Sequence, residues 1–483
     1  MRTLRLMTAS LMAMLLLLAA CGDTETATDE PVGGVDDEAA PDDDPADDDP
    51  DDEEEPDAED LGGDPDDLVL TFWHGLGGDN EVFIDEELAA KYSEETDGVV
   101  VNAQMRGTYE EVLDQSIVAS GTAEAPHIVQ LYEIGVQVAR DSGIFAPIHE
   151  LDTEGIIDPD DYVEAVSGYY VDETGGLYSA PWNSSNPIVY INRDMFEEAG
   201  LDPDDPPQRF SEIFEACEQI IDADVAEGCY GMPIHSWFFE QTIAQQGGML
   251  ANNDNGRDGR ADEVLLDSDE AVNTLQFWQE MDEQGYWLTS GAREDWDDPR
   301  TLMANGQIAM AMDSTAAVAR YEESVEELGN ELGTAFMPIP DDAERHGTII
   351  GGASLYLLDG HAEEETLAAL QFVNWLSEVE QDIDWHKATG YFPVRTETNE
   401  QLEDEGWWDE EPNFATAVRQ LEETEVSPAT QGAVIGQFPQ IRSIVLDAVE
   451  SALFEGQDPA EALSTMKEQA DSVLQEYNAD VAG

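Results

Sequence analysis

Short strand-type segments alternate with helix-type segments from residue 68 onward, and this alternation is the strongest constraint on the fold. The run 68–74 is apolar and has the length of a buried strand, and 99–105 is of the same type. Between them, 82–96 carries apolar side chains at helical spacing. A second helical segment, 109–119, and a third strand, 127–131, follow. This order predicts an α/β protein whose parallel strands are joined by right-handed crossovers.

Two side chains stand where such a sheet binds its ligands, beyond the carboxyl ends of the strands. Tyr109 and Glu133 each follow a predicted strand and begin a helix. Further along, we predict a polar turn leading into a strand over 179–192, and a strand over 308–312. The remaining helical segments that we predict are 193–200, 271–284, 366–378 and 460–477.

The N-terminus has the features of an export signal. Arg2 and Arg5 precede an apolar run, 6–18, which is short for a transmembrane span. The residues that end at Cys21 are Leu-Ala-Ala-Cys, which is similar to a bacterial lipobox. We therefore predict a signal peptide over 1–20 and a lipid attached to Cys21, which would tie the protein to the outer face of the cell membrane. An uncleaved membrane anchor is the alternative.

The segment that follows, 21–67, is predicted to be a disordered tether. It consists almost entirely of Asp, Glu, Pro, Ala, Gly and Thr, with no Lys or Arg, and cannot bury enough apolar area to fold. Repulsion between its carboxylates extends it. Cation binding by the acidic run is the alternative to a solvated spacer.

The whole chain is strongly acidic, with 111 acidic residues against 18 basic ones and a formal net charge of -93. Binding to nucleic acid needs clustered Lys and Arg, so we expect no nucleic-acid partner. Excess surface carboxylate also keeps a protein soluble in strong salt, which makes adaptation to a saline habitat a reasonable interpretation.

Cysteine and histidine usage limits the chemistry. In an oxidising compartment Cys217 and Cys229 would close a short loop, and the export signal favours this disulfide over two independent buried thiols. The seven His show no metalloprotease pattern, and there is no P-loop, dinucleotide fingerprint or nucleophile elbow. We therefore expect no metal, no cofactor and no enzyme.

A series of motifs along the mature chain resembles one family, the bacterial ABC-transporter binding proteins for glycerol 3-phosphate. The motifs are Phe-Trp-His at 72–74, Gly-Thr-Tyr-Glu-Glu at 107–111, Gln-Leu-Tyr-Glu-Ile-Gly at 130–135, Val-Ser-Gly-Tyr-Tyr at 166–170, Pro-Trp-Asn-Ser-Ser-Asn-Pro at 181–187, Ile-Ile-Gly-Gly-Ala-Ser-Leu at 349–355, Trp-His-Lys-Ala-Thr-Gly-Tyr-Phe-Pro at 385–393 and Phe-Pro-Gln-Ile-Arg at 438–442. The general pattern is shared with the wider family of extracellular sugar-binding proteins.

The resemblance implies an α/β, two-lobed fold of the periplasmic-binding-protein type II, with a ligand cleft between lobes joined by hinge segments. Lobe 1 would comprise 68–180 and 316–365, and lobe 2 would comprise 181–315 and 366–483. It further implies a monomeric, extracytoplasmic lipoprotein that captures glycerol 3-phosphate or a glycerophosphodiester, such as glycerophosphocholine, and delivers it to ABC permease subunits. A binding protein for a sugar or oligosaccharide is the alternative.

The resemblance also assigns candidate ligand contacts. Tyr109 and Glu133 would hold glycerol hydroxyls, although Glu133 also suits the start of a helix. Arg442 would bind phosphate, unless it pairs with neighbouring carboxylates. Trp237 would line the cleft wall or pack in the core, and Trp182 replaces a common Phe, which affects the expected pocket size. The other expected phosphate contacts are Ser185, Ser314, Gly352 and Tyr391.

Overall fold

The computed structural model describes residues 56–172 and 174–482. The predicted signal peptide, Cys21 and most of the predicted tether lie outside these residues. These described residues contain ten strands: β1 Leu68–His74, β2 Val99–Met105, β3 Ile128–Tyr132, β4 Phe145–Ala146, β5 Ala180–Ser185, β6 Pro187–Asn192, β7 Tyr230–Gly231, β8 Met310–Ser314, β9 Leu332–Phe336 and β10 Gly351–Leu358.

The strands form two sheets. The first has the order β2-β1-β3-β10-β4, and β5 also pairs with β10. The second has the order β7-β8-β6-β9. β1 pairs in parallel with β2 and β3, whereas β10 runs antiparallel to β3, so the first sheet is mixed rather than purely parallel. The alternation of strands and helices thus predicted the α/β class correctly but not the returning strand β10.

Helices cover both sheets. They are α1 Asp79–Val82, α2 Ala89–Glu95, α3 Tyr109–Ala119, α4 Val136–Ser142, α5 Ile148–Leu151, α6 Glu164–Tyr170, α7 Arg193–Ala199, α8 Phe210–Asp222, α9 Ser236–Gln245, α10 Asn252–Gly256, α11 Asp269–Glu283, α12 Asp297–Ala304, α13 Val318–Glu327, α14 Glu363–Leu376, α15 Val379–Thr389, α16 Thr396–Glu405, α17 Trp407–Glu410, α18 Pro412–Glu422, α19 Phe438–Glu455 and α20 Pro459–Val481. A π-helical segment joins α1 to α2, and α10 is a left-handed turn. No helix in the described part of the chain is both long enough and apolar enough to cross a membrane.

Most predicted elements are confirmed, including β2 and α3 with the predicted bounds. The polar turn predicted before β6 is wrong, because its residues form β5. The strand tolerates polar side chains in the interior since they are hydrogen bonded: Gln130 Nε2 donates to Asn183 Oδ1 over 2.8 Å.

The chain passes from the first sheet to the second through one residue, Asn186, between β5 and β6. The lobe boundaries themselves stay a prediction. β9, however, lies within the range expected for lobe 1 and pairs with β6 in the second sheet. The sheet to which β9 belongs depends on the strand it pairs with. The sequence of an isolated apolar run does not identify that partner.

Several polar groups are fixed in the interior. Cys217 and Cys229 are joined by a disulfide, 12 residues apart in sequence. Arg257 donates to the backbone carbonyls of Gly432 and Gly168, each over 3.0 Å. Arg395 pairs with Asp161 over 2.9 Å. Guanidinium groups therefore tie loops together inside a protein whose net charge is strongly negative.

Candidate ligand-binding site

A cavity of about 530 Å³ opens beyond the carboxyl ends of β2 and β3, between residues of both sheets. Its volume is in the usual range for small-molecule sites. All eight ligand-binding residues proposed from the sequence line it: Tyr109, Glu133, Ser185, Trp237, Ser314, Gly352, Tyr391 and Arg442. Eight separate stretches of the chain thus converge on one pocket.

Tyr109 is placed by the first turn of α3. Thr108 and Glu111 form a reciprocal capping box, in which each side chain accepts the other's backbone N–H. The hydroxyl of Tyr109 accepts a hydrogen bond of 3.0 Å from Asn183 Nδ2. Asn183 is itself held by Gln130, so the position of the Tyr109 hydroxyl is fixed.

Glu133 directly follows β3 and is buried. One of its carboxylate oxygens accepts a hydrogen bond of 2.7 Å from Arg442 Nη2. Burial raises the pKa of Glu133, and the charge of Arg442 offsets only part of that effect. The remaining acceptor capacity of this carboxyl group faces the pocket and suits hydroxyl donors.

Arg442 lies in α19 and is held by two carboxylates. Besides Glu133, it contacts Glu240 of α9 through two parallel bonds, Nε to Oε1 at 2.7 Å and Nη2 to Oε2 at 2.8 Å. Burial lowers the pKa of Arg442, but the two carboxylates outweigh it and the net shift is upward. Pairing with carboxylates, the alternative given above to phosphate binding, thus occurs, and the partners are distant in sequence and buried. Nη1 is not used in these contacts.

Small residues also line the pocket. Ser314 ends β8, and its hydroxyl oxygen accepts the N–H of Ala316 over 3.2 Å, which leaves its O–H to donate. Gly352 has φ of +101°, and a Cβ there would lie 1.9 Å from the carbonyl oxygen of Asn183. Only glycine fits at this position, where β10 meets β5 beside Ser185.

Two buried donors in the wall have no protein partner among the described residues: Tyr132 Oη–H and Trp237 Nε1–H. Trp237 is only 5% exposed, so it contributes both to the wall and to the core. Tyr132 stacks on Tyr109 with 5.5 Å between ring centroids. A buried donor without a partner is unfavourable by about 1–3 kcal/mol, and a bound ligand with acceptor oxygens relieves that penalty.

Sequence reasoning missed several residues of the pocket. Tyr132 directly precedes Glu133 in the same motif, so its position next to a proposed site residue could have identified it. Arg300 is one of few basic residues, which was a weaker signal. His235 and Trp296 carry no local signature. Glu240 lies on a helix whose residues are all buried, and its partner is about 200 residues away in sequence.

Trp182 does not line the cavity, although the sequence suggested an effect on pocket size. It is 1% exposed and stacks on Trp385 with ring centroids 4.9 Å apart. Tyr391 also stacks on Trp385, with ring centroids 5.6 Å apart. Trp182 therefore acts on the pocket only through the packing behind Tyr391.

Two other features fit a ligand less well. A larger cavity of about 840 Å³ is lined by Phe392, Trp408 and several carboxylates, and contains none of the residues proposed from the sequence.

His127, His361 and Glu365 lie close together. However, Nδ1 of His127 accepts the N–H of Thr71, so its other nitrogen carries the proton of the neutral ring. His127 then has no lone pair to offer a metal.

A family model for bacterial extracellular solute-binding proteins matches residues 87–416. The sn-glycerol-3-phosphate-binding periplasmic protein UgpB of Escherichia coli K12 is 30% identical over 415 residues, covering 85% of this chain and 93% of that protein.

Solved structures share the fold. UgpB from Mycobacterium tuberculosis, in complex with glycerophosphocholine, superposes with a TM-score of 0.71 at 21% identity, over 84% of this chain and 98% of that one. The cyclic alpha-maltosyl-1,6-maltose binding protein from Arthrobacter globiformis gives a TM-score of 0.66 at 22% identity, over 85% and 100% respectively. At these identities the likeness concerns the two-domain fold alone.

Proposed function

This chain belongs to the bacterial extracellular solute-binding proteins, which deliver small molecules to ABC permeases, and we propose that its ligand is a phosphorylated polyol. The ligand class is sn-glycerol 3-phosphate or a glycerophosphodiester such as glycerophosphocholine. The protein then works outside the cytoplasm, as its periplasmic relatives do, tethered through a lipid on Cys21.

The observation that carries the proposal is the chemical composition of the pocket lining, in which groups suited to hydroxyls and donors suited to phosphate oxygens occur together. Tyr109 and Glu133 offer one proton donor and one carboxylate, which together suit neighbouring hydroxyl groups. Ser185 and Ser314 add hydroxyl donors to the same lining, and Gly352 lets a phosphate approach the backbone. A molecule with vicinal hydroxyls at one end and a phosphate at the other matches both.

The remaining proposed contacts extend this arrangement. Tyr391 offers a hydroxyl and Arg442 one nitrogen, Nη1, that its contacts with Glu133 and Glu240 leave unused, and Trp237 lines the same pocket. An indole face also suits the trimethylammonium group of choline through a cation–π contact, which supports glycerophosphocholine within the same ligand class.

Calorimetric titration of the purified full-length protein tests the proposal. We expect saturable binding of glycerol 3-phosphate or glycerophosphocholine, and weakening of that binding in Tyr109→Phe, which removes one hydroxyl without disturbing the ring. Val118→Ala, on the exposed surface of the same helix α3, is the control. Binding of maltose with no binding of either phosphate ester would contradict the ligand class and leave the family assignment in place.

A sugar or oligosaccharide is the second candidate, and the aromatic lining supports it. Trp237 and Trp296 lie 6.2 Å apart between ring centroids, and Tyr109 stacks on Tyr132. Sugar rings bind to such faces. This candidate needs no cation in the pocket, so charge-removing variants separate it from the first.

A further inference from the structure

We propose that Arg300 is a ligand-contacting residue that selects for the phosphate group, in addition to the contacts described above. This inference rests on the proposed phosphate-ester ligand. Arg300 belongs to α12 and lines the same pocket as Ser185 and Ser314. None of the motifs that suggested the other site residues contains it.

Arg300 is held in a fixed orientation by one buried carboxylate. Its Nε donates to Asp313 Oδ2 over 2.8 Å, and its Nη2 lies 3.3 Å from Asp313 Oδ1. Asp313 is fully buried and also accepts the hydroxyl of Tyr321 over 3.1 Å. A guanidinium clamped along one edge loses little rotamer entropy when a ligand binds, which makes the contact effective.

The unclamped nitrogen of Arg300 is available to a ligand. Nη1 lies 4.0 Å from the carboxylate of Asp297, which is too far for a hydrogen bond. The side chain is 18% exposed, so part of it faces the pocket rather than the core. A planar guanidinium donating from this edge matches the geometry of phosphate oxygens.

Asp313 also orients the neighbouring donor. Its Oδ1 accepts the backbone N–H of Ser314 over 2.6 Å. The same carboxylate therefore positions a guanidinium and the serine whose hydroxyl is expected to bind phosphate. The three residues form one preorganised unit on this wall of the pocket.

The carboxylates around each arginine favour Arg300 over Arg442 as the partner of an anion. Arg442 is paired with both Glu133 and Glu240, so that group carries two carboxylates for one guanidinium. Among the described residues Arg300 is hydrogen bonded to Asp313 alone, and Asp297, 4.0 Å away, is itself paired with Arg320 at 2.8 Å, so these four charges sum to zero. A phosphate carrying close to two negative charges is repelled less at the Arg300 end, where unused donors remain.

The main test compares glycerol 3-phosphate binding to the wild type and to the double variant Arg300→Gln/Asp313→Asn. Removing both partners together leaves no buried charge unpaired and keeps the net charge unchanged. We expect affinity for glycerol 3-phosphate to fall by about 10- to 100-fold, as for loss of one charge-assisted contact. Arg193→Gln/Asp204→Asn is the matched control, because it removes an ion pair with no change in net charge and neither residue lines the pocket.

A second readout separates phosphate contact from a structural role. The second pKa of a phosphate monoester is about 6, so affinity is measured from pH 5 to 7.5. The wild type is expected to prefer the dianion, and the double variant is expected to lose most of that preference. A structural defect would lower affinity equally at every pH.

The outcomes are distinguishable. If the wild type binds no phosphate ester, the proposed function fails and this inference fails with it. If the wild type binds glycerol 3-phosphate and the double variant binds it within twofold with the same pH dependence, the role of Arg300 is wrong while the proposed function stands.

Discussion

Glu240 and Arg442 face each other edge to edge, with Nε–Oε1 and Nη2–Oε2 distances of 2.7 and 2.8 Å, and both are buried beside the ligand cavity. The pair joins α9 to α19, and through Glu133 it reaches the end of β3. Its two carboxylates give this end of the pocket an excess of negative charge.

Glu240→Gln is expected to tighten binding of glycerol 3-phosphate. The variant removes one of the two carboxylates and leaves Arg442 paired with Glu133 alone, so the repulsion felt by an anionic ligand falls. We expect a gain of up to about tenfold in affinity, or about 1.4 kcal/mol, by calorimetry. Glu283→Gln, at the end of α11, serves as control. Weaker binding would show that Glu240 holds Arg442 in a ligand-binding position.

Arg442→Gln is expected to destabilise the fold. It leaves Glu133 and Glu240 buried without a cation, and removing one member of a buried ion pair typically costs about 3–5 kcal/mol. Urea denaturation measures the change. The double variant Glu240→Gln/Arg442→Gln should recover part of the loss, whereas equal stability of the two variants would contradict the coupling.

Gly352→Ala is expected to lose more stability than Gly360→Ala. The two glycines have nearly the same φ, +101° and +103°, but a Cβ at Gly360 has nothing within 4 Å. Strain in this region is about 1–2 kcal/mol for an L-residue, and Gly352→Ala adds overlap with the carbonyl of Asn183. Thermal unfolding of the two variants separates backbone strain, which both share, from steric overlap, which only Gly352→Ala has. Equal losses of stability would rule out an effect of the overlap.

Reduction of the Cys217–Cys229 disulfide is expected to destabilise the protein by about 3 kcal/mol, the chain-entropy value for a loop of this size. Denaturation in urea with and without a reductant measures it. The double variant Cys217→Ala/Cys229→Ala should be less stable and indifferent to the reductant. A reductant effect that persists in this variant would point to another cause.

His235→Asn is expected to flatten the acid side of the stability profile. Burial first, and then the charge of Arg442, lowers the pKa of His235 to about 3, although Glu294 lies 3.7 Å from its Nε2. Between this value and about 6.5 the unfolded state binds the extra proton, so stability falls as pH drops through that window.

Asn keeps the acceptor that caps α9 at the N–H of Trp237. We expect the slope of unfolding free energy against pH to fall by up to about 1.4 kcal/mol per unit in the variant between pH 6 and 4. An unchanged slope would mean that His235 is not neutral in the folded protein. His149→Asn, at a half-exposed position outside the pocket, is the control.

The sequence predicted the α/β class and the convergence of Tyr109 and Glu133 because both rest on local patterns, the spacing of apolar residues and the position after a strand. β5 was missed because its residues are polar, and a polar segment is typical of a turn. In the structure Gln130 donates a hydrogen bond to Asn183 of β5, which allows this polar side chain to lie in the interior. Pairing between distant residues has no local pattern.

The same reason explains what was missed at the site. Arg442 was identified through its motif, but its partner Glu240 is separated from it by 202 residues, and nothing near either residue indicates the other. Arg300 and Asp313 are 13 residues apart, yet they face each other only because α12 packs beside β8. Such pairs follow from the tertiary arrangement.

The largely buried guanidinium groups of Arg257, Arg300 and Arg442 have a consequence for the outside of the molecule. Cations held in the interior do not neutralise surface carboxylates, so dissolved metal cations must gather around the folded body. Unfolding moves the carboxylates farther apart, so part of the layer of cations around the folded body is released. Mobile counterions are therefore reactants in the folding equilibrium, and the folded state takes them up.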